Sequence, residues 1–419
     1  MESFLPVDPL SHFPIQNIPF GAGIFSDSTE PRCVSRIGDF IIDLKALEEK
    51  GVFSDISSKP LFSDPALNTF MAEPKNIWRL VRERIQSIFV STNSTYKDDL
   101  ALLEEVTKRI SQFKSTIPVR INGYTDFVSC KNHMINMYTI LGKNPADIVN
   151  ENWARMPLGY HGKSSSIVVS GTPLIRPKGQ SFNRELSQPV YGPTQKLDHE
   201  VELGVFLGGK PNKNGEPISI SSAEENIFGY VILNDWSARE ICLWEMNPFG
   251  LFTGKNFQTT ISPWIITPFA LEPFKAPFEP QDPIPVEYLQ EPNHAGYDIN
   301  FETFIKTESL SEPFKISRSN MCDLYWSPSQ QLAHLTVSGA NIEVGEIYGS
   351  GAIASKDNIN GCACFMEINK GGRVPMTLPN GESRVWIEDG DEIIITASCQ
   401  GNGFVVGFGE ARGKVLPSI

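Results

Sequence analysis

The sequence predicts a mainly β (α+β) protein of two domains, and three observations carry that expectation. At 419 residues the chain is longer than a single hydrophobic core normally grows. Short apolar or alternating runs separated by Gly, Pro and Asn recur along most of it, as in strands joined by loops. Helical spacing of apolar residues is confined to a few stretches. With 40% apolar and 20% charged residues, 33 Gly and 31 Pro, the composition fits a loop-rich globular protein and excludes disorder or a coiled coil.

Residues 1–118 read as a separate N-terminal domain. GAGIF (21–25) and DFIIDL (39–44) are short β-like runs. KNIWRLVRERIQSIF (75–89) and KDDLALLEEVTKRISQF (97–113) carry apolar residues at helical spacing with charges between, so both are predicted helices. No ionisable cluster suggests a site here, and a supporting or dimerising role is expected.

Residues 119–419 form the second domain, with strands predicted in SSIVVSGTPLIRP (165–177), HEVELGVFLGG (199–209), IFGYVILNDWS (227–237), SPWIITPFAL (262–271) and EIIITASCQGNGFVVGFGEA (392–411). The Pro-rich stretch 274–296 reads as an excursion from the sheet. There is no internal repeat or low-complexity segment.

A net charge of −13 and a pI near 5.1 argue against nucleic acid or an anionic membrane as partner. No apolar run approaches the roughly 18 residues that span a bilayer. The first residues have neither a basic n-region nor an apolar h-region, so no secretory signal is expected. Seven scattered cysteines in a chain this large point to reduced thiols and a cytoplasmic location. Cys362 and Cys364 form only a C-x-C pair and read as small core residues rather than zinc ligands.

The informative chemistry lies in LDHEVELGVFLGG. Alternate residues of a strand share a face, so Asp198, Glu200 and Glu202 are predicted on one side and Val201, Leu203 and Val205 on the other. Carboxylates two apart in a poorly solvated place resist ionisation, and a hard divalent cation removes that penalty. The alternative is a solvated acidic face on an edge strand. Asp235 follows a wholly apolar run and is predicted at a strand end. Asp126 and His133, seven residues apart, would share the face of a plausible helix. Other chemistries lack support: there is no G-x-G-x-x-G, G-x-S-x-G, Walker A loop or H-E-x-x-H.

At these residues the chain resembles the fumarylacetoacetase family, hydrolases of carbon–carbon bonds that end tyrosine breakdown. The matching blocks span essentially the whole length: YTDF…H, PLGYHGKSSSIVVSGTPLIRPKGQ, HEVELGVFLG, FGYVILNDWSARE, TGKNFQTTISPW and DGDEIIITASCQGNGFVVGFGEARGKVLP. The resemblance implies a small N-terminal SH3-like barrel, a larger C-terminal mixed β-roll and a homodimer. It implies Asp126, Glu200, Glu202 and Asp235 as metal ligands, with Lys255 and Thr259 supporting those ligands or binding an alternative cation. Mg²⁺ or Ca²⁺ is the expected ion, and Mn²⁺ accepts the same ligands. It also implies His133 and Glu367 as a water-activating pair, the latter after a one-residue shift in alignment. Arg239 and Lys255 would stabilise an oxyanion, and Tyr160 would contact a dicarbonyl substrate.

Departures from the family pattern gather on the substrate side. Val128 stands where the family has a tyrosine, and Gly142 where it has a substrate-carboxylate arginine. Cys242 replaces a glutamine, Met246 a second tyrosine and Ala352 a threonine. Each change removes a polar handle, and an arginine fork has no substitute in Gly. The expectation is therefore hydrolysis of a 1,3-dicarbonyl. One alternative is a repurposed member taking a larger, less anionic, polyketide-like metabolite through decarboxylation, retro-Claisen cleavage or cyclisation. A second is a non-catalytic binding protein.

Overall fold

The computed structural model describes residues 1–419 apart from positions 151 and 358, and leaves out the side chains of 94, 95, 149 and 150. It is mainly β, as the sequence predicts. In the N-terminal part five strands form one curled sheet, ordered Thr107–Arg109, Phe40–Asp43, Arg32–Ile37, Phe20–Phe25 and Phe113–Ser115. The helix Lys75–Phe89 covers it, burying Trp78, Val81, Ile85, Ile88 and Phe89 at the spacing that predicted it. The second predicted helix is shorter than expected. It runs only from Leu100 to Val106, and Thr107–Arg109 then joins the sheet as an edge strand. β-branched Thr107 pairs with Ile42 there, so sheet pairing overrides the helical periodicity.

The larger part is built on a mixed seven-stranded sheet, ordered Gly159–His161, Tyr124–Phe127, Ile347–Gly349, Val201–Leu207, Ile227–Asp235, Thr259–Ile261 and Ile167–Val169. Its interior strand Ile227–Asp235 is buried at every position. Val231 and Leu233 face the core shared with the N-terminal sheet, whereas Tyr230 and Ile232 face a second core. Being covered on both faces makes the strand read as one continuous apolar run. A five-stranded sheet built around Glu392–Gln400 and Val405–Leu416 packs into that second core.

Two further expectations are corrected. Ser262–Leu271 is not a strand; it makes isolated bridges at Ile265 and Ile266 and enters a short helix at Pro268. Proline at the first helical position, with its fixed φ, stops an apolar run from extending as β structure. Asp126 and His133 do not share a helix. Asp126 lies in the strand Tyr124–Phe127, one residue before its end, and His133 lies in the first turn of the helix Lys131–Ile140.

Candidate active site

Sheet topology brings the carboxylates together. Val201–Leu207 runs antiparallel to Ile227–Asp235, so the start of one strand meets the end of the other and Glu202 comes beside Asp235. Ile347–Gly349 lies between the Glu202 and Asp126 strands and pairs Gly349 with Asp126. A Cβ at Gly349 would sit 2.5 Å from Glu202 Oε2 and 2.6 Å from Asp126 Oδ1, so only glycine leaves room for both carboxylates. Ligand oxygens of Asp126, Glu202 and Asp235 lie within 4.8 Å of one another, and all three residues are buried.

Burial together with the Asp126 and Asp235 charges pushes the Glu202 carboxyl well above its usual range. Asp235 is also held well above its ordinary value by burial and the carboxylates around it, despite the opposing Lys255. Asp126 Oδ1 and Asp235 Oδ1 are buried and accept no hydrogen bond among the described residues. Orphaned acceptors around a glycine cradle, all hard oxygens, fit a divalent cation such as Mg²⁺, Ca²⁺ or Mn²⁺.

Glu200 lies at the edge of this cluster and is engaged differently. Arg239 Nη1 meets its Oε1 at 2.8 Å, and Lys255 Nζ donates to its Oε2. Burial alone would raise the Glu200 carboxyl, but Lys255 and Arg239 outweigh it and hold it below the usual carboxylate range. Lys255 also donates to Asp235 Oδ2, which makes it an internal counter-ion between two of the expected ligands. Burial opposes the charge on Lys255, and Asp235 and Glu200 reverse that effect, so the ammonium persists. Thr259 pairs across the sheet with Asp235 and is buried.

Asp198 does not share the cluster, which corrects the single-face expectation. The strand breaks between Asp198 and Val201, and Asp198 pairs instead with Ser237. Its Oδ2 accepts from Arg239 Nε at 2.7 Å, and its carboxylate also takes the backbone N–H groups of Phe365 and Met366. Asp198 therefore caps the short helix Phe365–Ile368, which carries Glu367, and fixes Arg239 at the same time.

Glu367 Oε1 lies 3.0 Å from His133 Nδ1 and accepts from Asn136 Nδ2 at 3.0 Å. Its Oε2 takes the Ala363 N–H. Cys364 approaches the same pair, with its thiol kept protonated by burial. Arg239 retains a buried Nη2 with no partner among the described residues.

Asp126, His133, Glu200, Glu202, Arg239 and Lys255 all line one cavity of about 230 Å³. Val128, Tyr160, Cys242, Met246 and Ala352 line it too. Burial pushes the Cys242 thiol up to about 12, so it stays neutral. Tyr160 reaches past the cavity wall: its hydroxyl donates towards Asp126 Oδ2 at 3.0 Å and Asp235 Oδ2 at 2.8 Å.

Gly142 is not a lining residue. It follows the helix Lys131–Ile140 with φ +73°, its N–H bonds Thr139 O, and the next N–H, from Lys143, bonds Tyr138 O. That is a Schellman cap, in which the left-handed position favours glycine. Sequence reasoning missed three residues. Tyr124, two before Asp126 on the same strand face, bonds Asp126 Oδ2 at 3.0 Å. Asn136, three after His133 on one helix face, shares Glu367. Lys143, just past the cap, lines the cavity. Strand and helix periodicity around Asp126 and His133 point to the first two.

Comparison with known proteins agrees with this architecture. Residues 16–118 match the family model described as fumarylacetoacetase N-terminal, and residues 123–416 that of the fumarylacetoacetate (FAA) hydrolase C-terminal part. The chain is 42% identical to a fumarylacetoacetase of Oryza sativa subsp. japonica, covering 100% of this chain and 98% of that one. It is 40% identical to the fumarylacetoacetase of Homo sapiens, covering 100% and 99%. Among solved structures, maleylpyruvate hydrolase from Sphingobium sp. SYK-6 in complex with manganese(II) ion and pyruvate shares the fold, with a TM-score of 0.50 and 15% identity over 96% of this chain and 100% of that one. Full-length likeness at this level, over both parts of the molecule, shows that the chain belongs to the fumarylacetoacetase family and is a fumarylacetoacetase-like hydrolase of carbon–carbon bonds.

Proposed function

We propose that residues 119–419 carry the chemistry, with 1–118 as a supporting unit, and that the cavity hydrolyses a 1,3-dicarbonyl acid at a divalent cation. The observation that carries the reading is one cavity lined by Asp126 and Glu202 of the Asp126–Glu202–Asp235 cluster and by His133, which Glu367 holds from behind. In this reading Asp126, Glu202 and Asp235 hold the cation, with Glu200 beside them. When bound it supplies Lewis acidity to the dicarbonyl and offsets negative charge as the carbon–carbon bond breaks.

The chain's own groups account for the remaining steps. Glu367 fixes the His133 ring through Nδ1, leaving Nε2 to take a proton from water as its oxygen attacks the carbonyl carbon. Arg239 Nη2, the donor left over after Asp198 and Glu200 are satisfied, meets the oxyanion, supported by the Lys255 charge. The bond to the central carbon then breaks and its electron pair takes up a proton, giving a carboxylic acid and a ketone. Tyr160 and Tyr124 brace the carboxylates from behind.

Hydrolysis is tested by running the reaction in H₂¹⁸O with fumarylacetoacetate. One ¹⁸O atom in the newly formed carboxylate is the expected result. Release of CO₂, or an isomeric product without ¹⁸O, would replace hydrolysis with decarboxylation or cyclisation. A pocket altered for a less anionic metabolite is favoured by Val128, Cys242, Met246 and Ala352, four non-ionised groups on the cavity wall. A homodimer and a cytoplasmic location belong to the same proposal. Support comes from exposed Tyr191, Phe249 and Phe252 as surface for a second copy, and from seven free thiols. Among the described residues no helix is long and apolar enough to cross a membrane.

A further inference from the structure

The cavity has two chemically different halves. One end holds the carboxylates, His133, Arg239 and Lys255. The other runs along the helix Lys131–Ile140 and its C-cap Leu141, where Met134, Met137 and Leu141 follow one another at helical spacing and face the cavity. Leu243 and Met246 complete this end. Leu141, Leu243 and Met246 are each about two-fifths exposed, at 41%, 43% and 39%. Large apolar side chains left wet along a cavity wall are a surface for an apolar group to cover.

At the far end stands Lys143. The three other basic residues of the cavity are already matched: His133 with Glu367, Arg239 with Asp198 and Glu200, Lys255 with Glu200 and Asp235. Lys143 has no carboxylate partner among the described residues; its Nζ lies 5.0 Å from the centre of the Tyr138 ring. The Schellman turn at Gly142 sets its position, because Lys143 N–H must close back on Tyr138 O. From His133 to Leu141 the helix rises roughly 12 Å at 1.5 Å per residue, and that rise separates the two ends of the cavity.

We propose that the site takes a dicarbonyl carrying an unbranched aliphatic arm that ends in a carboxylate, with the arm along Met134, Met137 and Leu141 and the carboxylate on Lys143 Nζ. This rests on the hydrolase reading and adds the substrate class to it. Flexible methionines suit a methylene chain better than a rigid ring, since they repack around it. Each methylene covered is expected to raise kcat/KM about fourfold, until the arm spans the wall.

The test uses 6,8-dioxononanoate and its methyl ester with the cation-loaded protein. In the wild type the acid is preferred, and in Lys143→Met the ratio of kcat/KM for acid over ester falls about fivefold. Lys143→Arg restores it, and added salt erodes it. An acid-to-ester ratio unchanged in Lys143→Met overturns the proposal. Calorimetric binding of 6,8-dioxononanoate separates this from failure of the hydrolase reading. Binding weakened by Lys143→Met, without turnover in the wild type, would keep the arm site and sink hydrolysis. Absence of binding as well as turnover would sink the arm site itself.

Discussion

His133 Nδ1 and Glu367 Oε1 lie 3.0 Å apart although 234 residues separate them in sequence. The short helix bearing Glu367 is capped by Asp198, and the His133 helix begins four residues after the strand that carries Asp126. The pair is therefore tied to both the carboxylate cluster and the Arg239 anchor. Glu367→Gln keeps the shape but loses the anionic acceptor that orients the ring and would stabilise its protonated form. We expect kcat to fall by about 10²–10⁴, with cation affinity unchanged by calorimetry. Full activity in this variant would remove Glu367 from the mechanism.

Glu202→Gln and Asp126→Asn each remove a charge from the cluster without changing its volume. Cation affinity should fall at least tenfold in either variant, read by titration with Mg²⁺ or Mn²⁺. His133→Ala should lose turnover while binding the ion as the wild type does. An active His133→Ala would point to a reaction that does not need water activated.

Because burial and neighbouring charge hold Glu202 and Asp235 well above the usual carboxylate range, protons and the cation compete for them. Cation binding should release protons, so affinity rises with pH and falls on acidification. Calorimetry in buffers of different ionisation enthalpy measures that release. A binding heat independent of the buffer would contradict the raised carboxyls.

Asp198→Ala leaves Arg239 buried with half its ion pairing gone and removes the cap on the Glu367 helix. Breaking such a pair costs about 3–5 kcal/mol, and a chemical denaturation midpoint should show it. Gly142→Ala forces an L side chain into the left-handed region at φ +73°. It should cost about 1 kcal/mol and leave cation binding intact, because the space around its Cβ is open.

Much of this was legible in the sequence, for identifiable reasons. The amphipathic spacing of 75–89 marks a helix, and the apolar run ending at Asp235 marks a buried strand with a carboxylate at its tip. Long-range consequences were not legible. Nothing local in LDHEVEL says that the strand breaks after Asp198, because the break is imposed by Arg239 and by the N–H groups of Phe365 and Met366. Nothing in IYGSG marks Gly349 as the gap that lets Asp126 and Glu202 approach, since both carboxylates arrive on other strands. Gly142 stands where the family has a substrate-carboxylate arginine, and nothing in the local sequence says that its backbone also ends the helix in the left-handed region.

The most direct test of the central claim is to mix cation-loaded protein with fumarylacetoacetate and follow the loss of its ultraviolet absorbance, with and without a chelator. Rapid loss that stops on chelation and resumes when Mg²⁺ is restored is the predicted result. No loss, in protein shown by titration to bind the cation, would contradict fumarylacetoacetate hydrolysis and direct the search to other dicarbonyl acids.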